Sequence, residues 1–162
     1  TLSPSSAASD VYKRQMLKGY YAIVTKFYGA EVRGGPVSSG VIISDEEIIF
    51  QFVRKPDYLL ALHESGIKAH ATKAVKTAIV DEELVHDIPV SYENVIKVPI
   101  IRTAEQVGSQ TVANVVLLGV FSTFSDLISI EDLKKAVEYS VREKYLGLNI
   151  KALEAGVKLV KR

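Results

Sequence analysis

Cysteine and tryptophan are both absent from the 162 residues, and methionine occurs once. Without cysteine the chain cannot form a disulfide, use a thiolate nucleophile or ligate an iron–sulfur cluster through its own sulfurs. An excess of charge of one sign is also missing, since 20 Lys and Arg stand against 19 Asp and Glu. Nucleic-acid and membrane-surface proteins usually carry an excess or a block of basic residues, so neither class of partner is expected. No apolar run approaches the roughly 18 residues needed to span a bilayer. A cytoplasmic location is the resulting expectation.

The catalytic inventory is equally short. His63, His70 and His86 fall in different segments, without the H-x-x-x-H spacing of a metal site. Ser38-Ser39-Gly40 lacks the G-x-S-x-G frame of a nucleophile elbow. Asp45-Glu46-Glu47 and Asp81-Glu82-Glu83 read as solvated turns, with nothing in their spacing to pair them as acid and base.

What the sequence does contain is 48% hydrophobic residues, ordinary for one globular domain of this length. Residues 1–15 differ from the rest: the stretch opens Ser-, Ala- and Pro-rich, and no apolar core of a signal peptide follows. They are expected to be a non-native or disordered leader, extended and with few contacts, ahead of a single domain over 16–162.

Within that domain, residues 20–27 (YYAIVTKF) and 37–44 (VSSGVIIS) have the β-branched and aromatic character of strands. A short apolar run follows at 48–53. Residues 58–62 (YLLAL) are apolar on both sides, which suits a strand in a sheet covered on both faces. A weakly patterned helix is expected over 64–76, then short strands at 77–80 (TAIV) and 95–98 (VIKV), and helices thereafter. Residues 111–124 are apolar almost all round, the pattern of a helix buried in the core or at an interface.

Ser129 and Asp132 have the spacing of a capping box, with Ile128 and Leu133 at the positions of a hydrophobic staple. The helix they open is expected to bury Leu133, Ala136, Val137, Val141 and Tyr145 along one face. Asn149 reads as the cap of a last helix, with Leu148 and Leu153 as staple and Ile150, Leu153, Val157 and Val160 as stripe. Strands interleaved with helices, then helices alone, predict an α/β fold: a sheet covered by helices.

The most informative stretch is Tyr28-Gly29-Ala30-Glu31-Val32-Arg33-Gly34-Gly35-Pro36. Gly34 and Gly35 permit positive φ and close approach of a partner. Their amides can form an anion-binding nest beside the Arg33 guanidinium, with Glu31 holding the fork. Local chemistry leaves two readings open, a tight turn with a solvent ion pair or a functional loop.

YGAEVRGG followed by VSSGVIISDEEI closely resembles the Y-G-x-E-x-R-G-G…V-I-I-S-D-x-x-I signature of the γ subunit of 2-oxoacid:ferredoxin oxidoreductases. The likeness continues in family order through PDYLLAL, VIKVPI, ANVVLLG at 113–119 and LNIKALEAG at 148–156. It implies a Rossmann-like sheet and a multisubunit enzyme that converts a 2-oxoacid, coenzyme A and oxidised ferredoxin to acyl-CoA, CO2 and reduced ferredoxin. Thiamine diphosphate, iron–sulfur clusters and CoA are then expected in the assembled complex, and no cofactor in this chain. The implied partners are companion α and β subunits, with δ in some relatives, and ferredoxin through the complex. Among the substrates, the motif most resembles that of 2-oxoglutarate enzymes.

The resemblance assigns this subunit no catalytic residue of its own, only a structural role that helps to shape the acyl-transfer cleft. Tyr28, Glu31, Arg33, Gly34, Gly35 and Asn114 are the candidate contacts with a partner or the cleft. Asn114 reads either as a helix polar group satisfied locally, the reading preferred from its own element, or as a family-specific contact. There are two departures from the family pattern. No strand and G-x-G-G-Q-G turn precede Met16, so the N-terminal βα unit, about 30 residues, is expected to be missing. His63 stands where relatives often have Asn. The rival to a subunit is a free-standing α/β module that binds a small ligand without a catalytic partner.

Overall fold

The computed structural model describes residues 19–28, 37–70, 74–89 and 92–160. The leader expected over 1–15 and most of the motif loop lie outside the described residues. Strands β1 (Tyr21–Tyr28) and β2 (Val37–Ser44) pair antiparallel, Tyr21 opposite Ser44 and Tyr28 opposite Val37. They form a two-stranded sheet of their own rather than joining the strands that follow. The apolar run at 48–53 is irregular chain lying against this hairpin, where Thr25 Oγ1 donates to the Gln51 carbonyl at 2.7 Å.

The second sheet is parallel, in the order β3 (Tyr58–Ala61), β4 (Val75–Asp81), β5 (Tyr92–Val98). Side chains on a strand alternate faces, and β4 shows it: Ala78 and Val80 enter one core cluster, Ile79 the other. The first cluster is closed by Ile67 of α1 (Glu64–Lys68) and by Val85 from the β4–β5 crossover. The second lies under the helical layer: α2 (Ile100–Val107), α3 (Ala113–Phe121), α4 (Ile130–Ser140) and α5 (Glu143–Val160). A sheet with apolar residues on both faces and helices against it is the expected Rossmann-like α/β arrangement. No helix of the described residues is long and apolar enough to cross a membrane.

Several expected boundaries move. The helix expected over 64–76 stops at Lys68, and β4 already begins at Val75. Weak apolar patterning there could not outlast the pull of a buried strand. The apolar helix expected from 111 opens with a 3-10 turn, Gln110–Val112, whose Ser109 cap accepts from the Thr111 amide at 3.3 Å. The Ser129–Asp132 capping box is present in both directions, at 3.2 and 3.1 Å, over buried Ile128 and Leu133.

That helix ends at Ser140, however, so Val141 is an extended cap and Tyr145 belongs to α5. Asn149 is likewise not a cap. It is buried inside α5, and its amide donates to the Tyr145 carbonyl at 2.8 Å, one turn back. A short polar side chain can bond its own backbone at either place, which is why spacing alone misread it.

Candidate functional site

The parallel sheet presents the ends of β3 and β4 at one edge, where open α/β sheets generally bind ligands. His63 follows β3 and caps α1, its Nδ1 accepting from the Ser65 amide at 3.2 Å. This is the bond an Asn would make at a helix N-cap, so His63 fills a local capping role. Glu64 sits beside it, ion-paired with Lys68 at 3.3 Å and accepting from the His86 amide at 3.4 Å. Lys68 foremost, and then that amide, hold the Glu64 carboxyl below its ordinary range.

Asp81, at the end of β4, corrects the reading of 81–83 as a solvated turn. It is fully buried, while Glu82 and Glu83 are exposed as expected. Its Oδ1 accepts from the amides of Glu83 and Leu84, each at 3.0 Å, and its Oδ2 from the Ile101 amide at 2.8 Å. Ile101 lies in the first turn of α2, where an anion also meets the positive end of the helix dipole. The carboxylate is thus committed to joining the β4 turn to α2. Glu83 and Arg102 add an ion pair across the same junction. These groups build the edge rather than offering an acid–base pair.

Two depressions lie elsewhere. One of about 410 Å³ is lined by Gly19 to Ile23 with Glu47 and Ile48, another of about 330 Å³ by Ile67, Lys68, Asp87, Ile88 and Pro89. Neither lining contains a histidine or a pair of carboxylates. Among the described residues no group of three or more His, Asp or Glu is placed to hold a metal ion.

The remaining candidate is the hairpin. Tyr28 ends β1 and Val37 begins β2 as register partners, so the motif residues between them join the two strands. Glu31, Arg33, Gly34 and Gly35 lie outside the described residues. Asn114 is half-buried in the first turn of α3, a different element, so the described structure does not gather it with Tyr28 into one site.

Sequence reasoning passed over the aromatic group beside the motif. Phe27 and Phe52 have ring centroids 6.1 Å apart, and Phe50 meets Phe52 edge-on at 5.7 Å. The Arg54 guanidinium lies 4.0 Å from the Phe50 ring centre. All three rings are between 38% and 50% exposed, and Ile49 beside them is 94% exposed. The alternation of Phe50, Phe52 and Arg54 was the available signal, masked by reading the run only as apolar. A surface of half-exposed aromatics with a stacked arginine is suited to protein contact rather than to bond-making chemistry.

A family model described as pyruvate ferredoxin/flavodoxin oxidoreductase matches residues 8–159. The chain is 34% identical over 154 residues to 2-oxoglutarate synthase subunit KorC of Methanothermobacter marburgensis, covering 88% of this chain and 81% of that one. It is 30% identical over 136 residues to ketoisovalerate oxidoreductase subunit VorA of Methanothermobacter thermautotrophicus, covering 80% of this chain but 28% of the relative. The crystal structure of a keto/oxoacid ferredoxin oxidoreductase gamma subunit from Geobacter sulfurreducens superposes with a TM-score of 0.78 at 31% identity, covering 97% of this chain and 90% of that one.

Proposed function

Because the chain belongs to the pyruvate ferredoxin/flavodoxin oxidoreductase family, we propose that it is the γ-type subunit of a 2-oxoglutarate:ferredoxin oxidoreductase. The assembled enzyme converts 2-oxoglutarate, coenzyme A and oxidised ferredoxin to succinyl-CoA, CO2 and reduced ferredoxin. The observation that carries this reading is the 34% identity to a 2-oxoglutarate synthase subunit over most of both chains.

The lack of cysteine supports placing the iron–sulfur clusters on companion subunits. An iron–sulfur cluster needs thiolates, and the sequence has none. Thiamine diphosphate on companion α and β subunits would supply the carbanion chemistry, with ferredoxin, and a δ subunit in complexes that have one, completing electron transfer. This chain's part is to pack against the catalytic subunits and shape the cleft in which CoA takes the acyl group. Arg33, between Glu31 and Gly34-Gly35, is its central contact, with Tyr28 and Asn114 as further contacts. A cytoplasmic location goes with this role.

The test is co-expression with companion subunits from the same source, followed by CoA-dependent ferredoxin reduction with 2-oxoglutarate, pyruvate or a branched-chain 2-oxoacid. The complex should assemble and prefer 2-oxoglutarate, and the isolated chain should reduce no ferredoxin. Arg33→Ala should weaken assembly or acyl transfer while leaving the subunit folded. Normal assembly and wild-type turnover in that variant would reduce the loop to a turn. A preference for pyruvate would overturn the substrate assignment.

A further inference from the structure

We propose that the aromatic face of the β1–β2 hairpin is the surface that seats this chain on a companion oxidoreductase subunit. The partner surface it fits is an apolar strip bearing a carboxylate opposite Arg54. The proposal rests on the subunit reading above and adds the residues that carry the contact.

The hairpin is only partly supported by the rest of the chain. Its β1–β2 sheet has two strands, and two-stranded hairpins are marginal in water unless something packs against them. Near one end Ala22 is buried and its register partner Ile43 touches the main core. Toward the other end Phe27, Phe50 and Phe52 are in ring contact but half exposed.

Ile49 is 94% exposed, an expensive place for a branched aliphatic side chain in water. Arg54 is exposed too, and its guanidinium, stacked on Phe50, is a planar donor of the kind that meets a carboxylate. Aromatics and arginine are the residues that dominate binding energy at protein interfaces.

Two observations indicate a companion subunit as the occupant. Phe27, whose ring meets Phe52, immediately precedes Tyr28, the first residue of the motif that the reading above gives to partner contact. In addition, the same unit is part of a much longer polypeptide in the ketoisovalerate relative, of which it covers 28%. A unit found both as its own subunit and inside a longer chain has a standing neighbour to pack against.

The experiment measures the Kd between this chain and its co-purified companion subunits by sedimentation. The variants are Ile49→Asp, Phe50→Ala and Arg54→Glu, with Tyr139→Asp on α4, 87% exposed, as the control surface. Far-UV circular dichroism and thermal unfolding of each full chain report its own fold. Ile49→Asp and Arg54→Glu should fold as wild type and weaken association about tenfold or more, while Tyr139→Asp leaves it unchanged. Wild-type Kd in both Ile49→Asp and Arg54→Glu would overturn the proposal and leave the subunit reading standing. If the wild-type chain does not bind the companion subunits at all, the subunit reading itself fails. If the variants abolish only self-association, the occupant is a second copy of this chain and the proposal is wrong.

Discussion

Gly119 of α3 and Gly156 of α5 meet where the two helices cross, so close that each occupies space a side chain would need. A Cβ on Gly119 would stand 2.2 Å from the Leu153 carbonyl oxygen, and one on Gly156 would stand 2.1 Å from the Val116 carbonyl oxygen. The obstacle in each case is backbone, which cannot swing away as a side-chain tip can. Two stretches of the family resemblance, ANVVLLG and LNIKALEAG, end on these glycines. Their role is packing: they let α5 lie on α3 and bury Val116, Val120 and Leu153 completely.

Gly119→Ala and Gly156→Ala should therefore each destabilise the fold by about 2–3 kcal/mol or more, by forcing the helices apart. Gly147, also in α5, has nothing within 4 Å of its Cβ position. Gly147→Ala should stabilise by about 0.5–1 kcal/mol, the helix-propensity gain alone. Urea unfolding of the three variants measures the contrast, and equal effects would show that the crossing is not as tight as described.

The capping box gives a smaller, local expectation. Ser129 and Asp132 each satisfy the other's backbone amide at the start of α4. Ser129→Ala should cost about 1 kcal/mol, read as a lower urea midpoint with an unchanged m-value. Ser129→Thr should recover much of it, since its hydroxyl can cap the same amide and still donate to the Asp132 carboxylate, 2.7 Å away in the native pair.

Glu64 gives the pH dependence. Its carboxyl is held low by Lys68 and by the His86 amide. A folded-state value below the unfolded one contributes stability that is present above the unfolded value, near pH 4. That contribution is lost as pH falls through the lower folded value. Wild type should therefore exceed Glu64→Gln in stability at pH 7, with the gap closing toward pH 3. High salt should narrow the pH 7 gap too, because the pair is exposed. A gap that is constant with pH would show that the Lys68 and His86 contacts do not favour the ionised form.

The sequence made local chemistry legible wherever it depends on near neighbours. The Ser129 box, the strands at residues 37–44 and 58–61 and the buried helix around Val116 all follow from short-range pattern. It failed where a distant group decided the outcome. Nothing within Asp81-Glu82-Glu83 says that one carboxylate will be buried by a helix start twenty residues away. Asn149 resembled a cap because caps and interior back-bonding use the same side chain. Of the candidate site, the motif was legible as a loop between strands, whereas the ring cluster of Phe27, Phe50 and Phe52 required knowing that the run at 48–53 lies against the hairpin.

Asp81 therefore provides the most exacting test of how the carboxyl edge of the sheet is held. Its two oxygens serve three backbone amides, from Glu83, Leu84 and Ile101, with no solvent access. Asp81→Ala removes every acceptor at once and leaves buried donors unsatisfied, each worth about 1–3 kcal/mol. The expected loss is about 3 kcal/mol or more, and opening should concentrate at the β4 turn and the start of α2. Asp81→Asn keeps one oxygen for the turn but points an NH2 group at the Ile101 amide, so donor faces donor. It should retain the turn, lose the tie to α2 and fall between wild type and Asp81→Ala. Amide hydrogen exchange separates the two effects: Asp81→Asn should speed exchange at Ile101 while sparing Glu83 and Leu84, and Asp81→Ala should speed all three. Protection in Asp81→Ala as high as in wild type would mean that the edge is held by the surrounding apolar packing and not by this carboxylate.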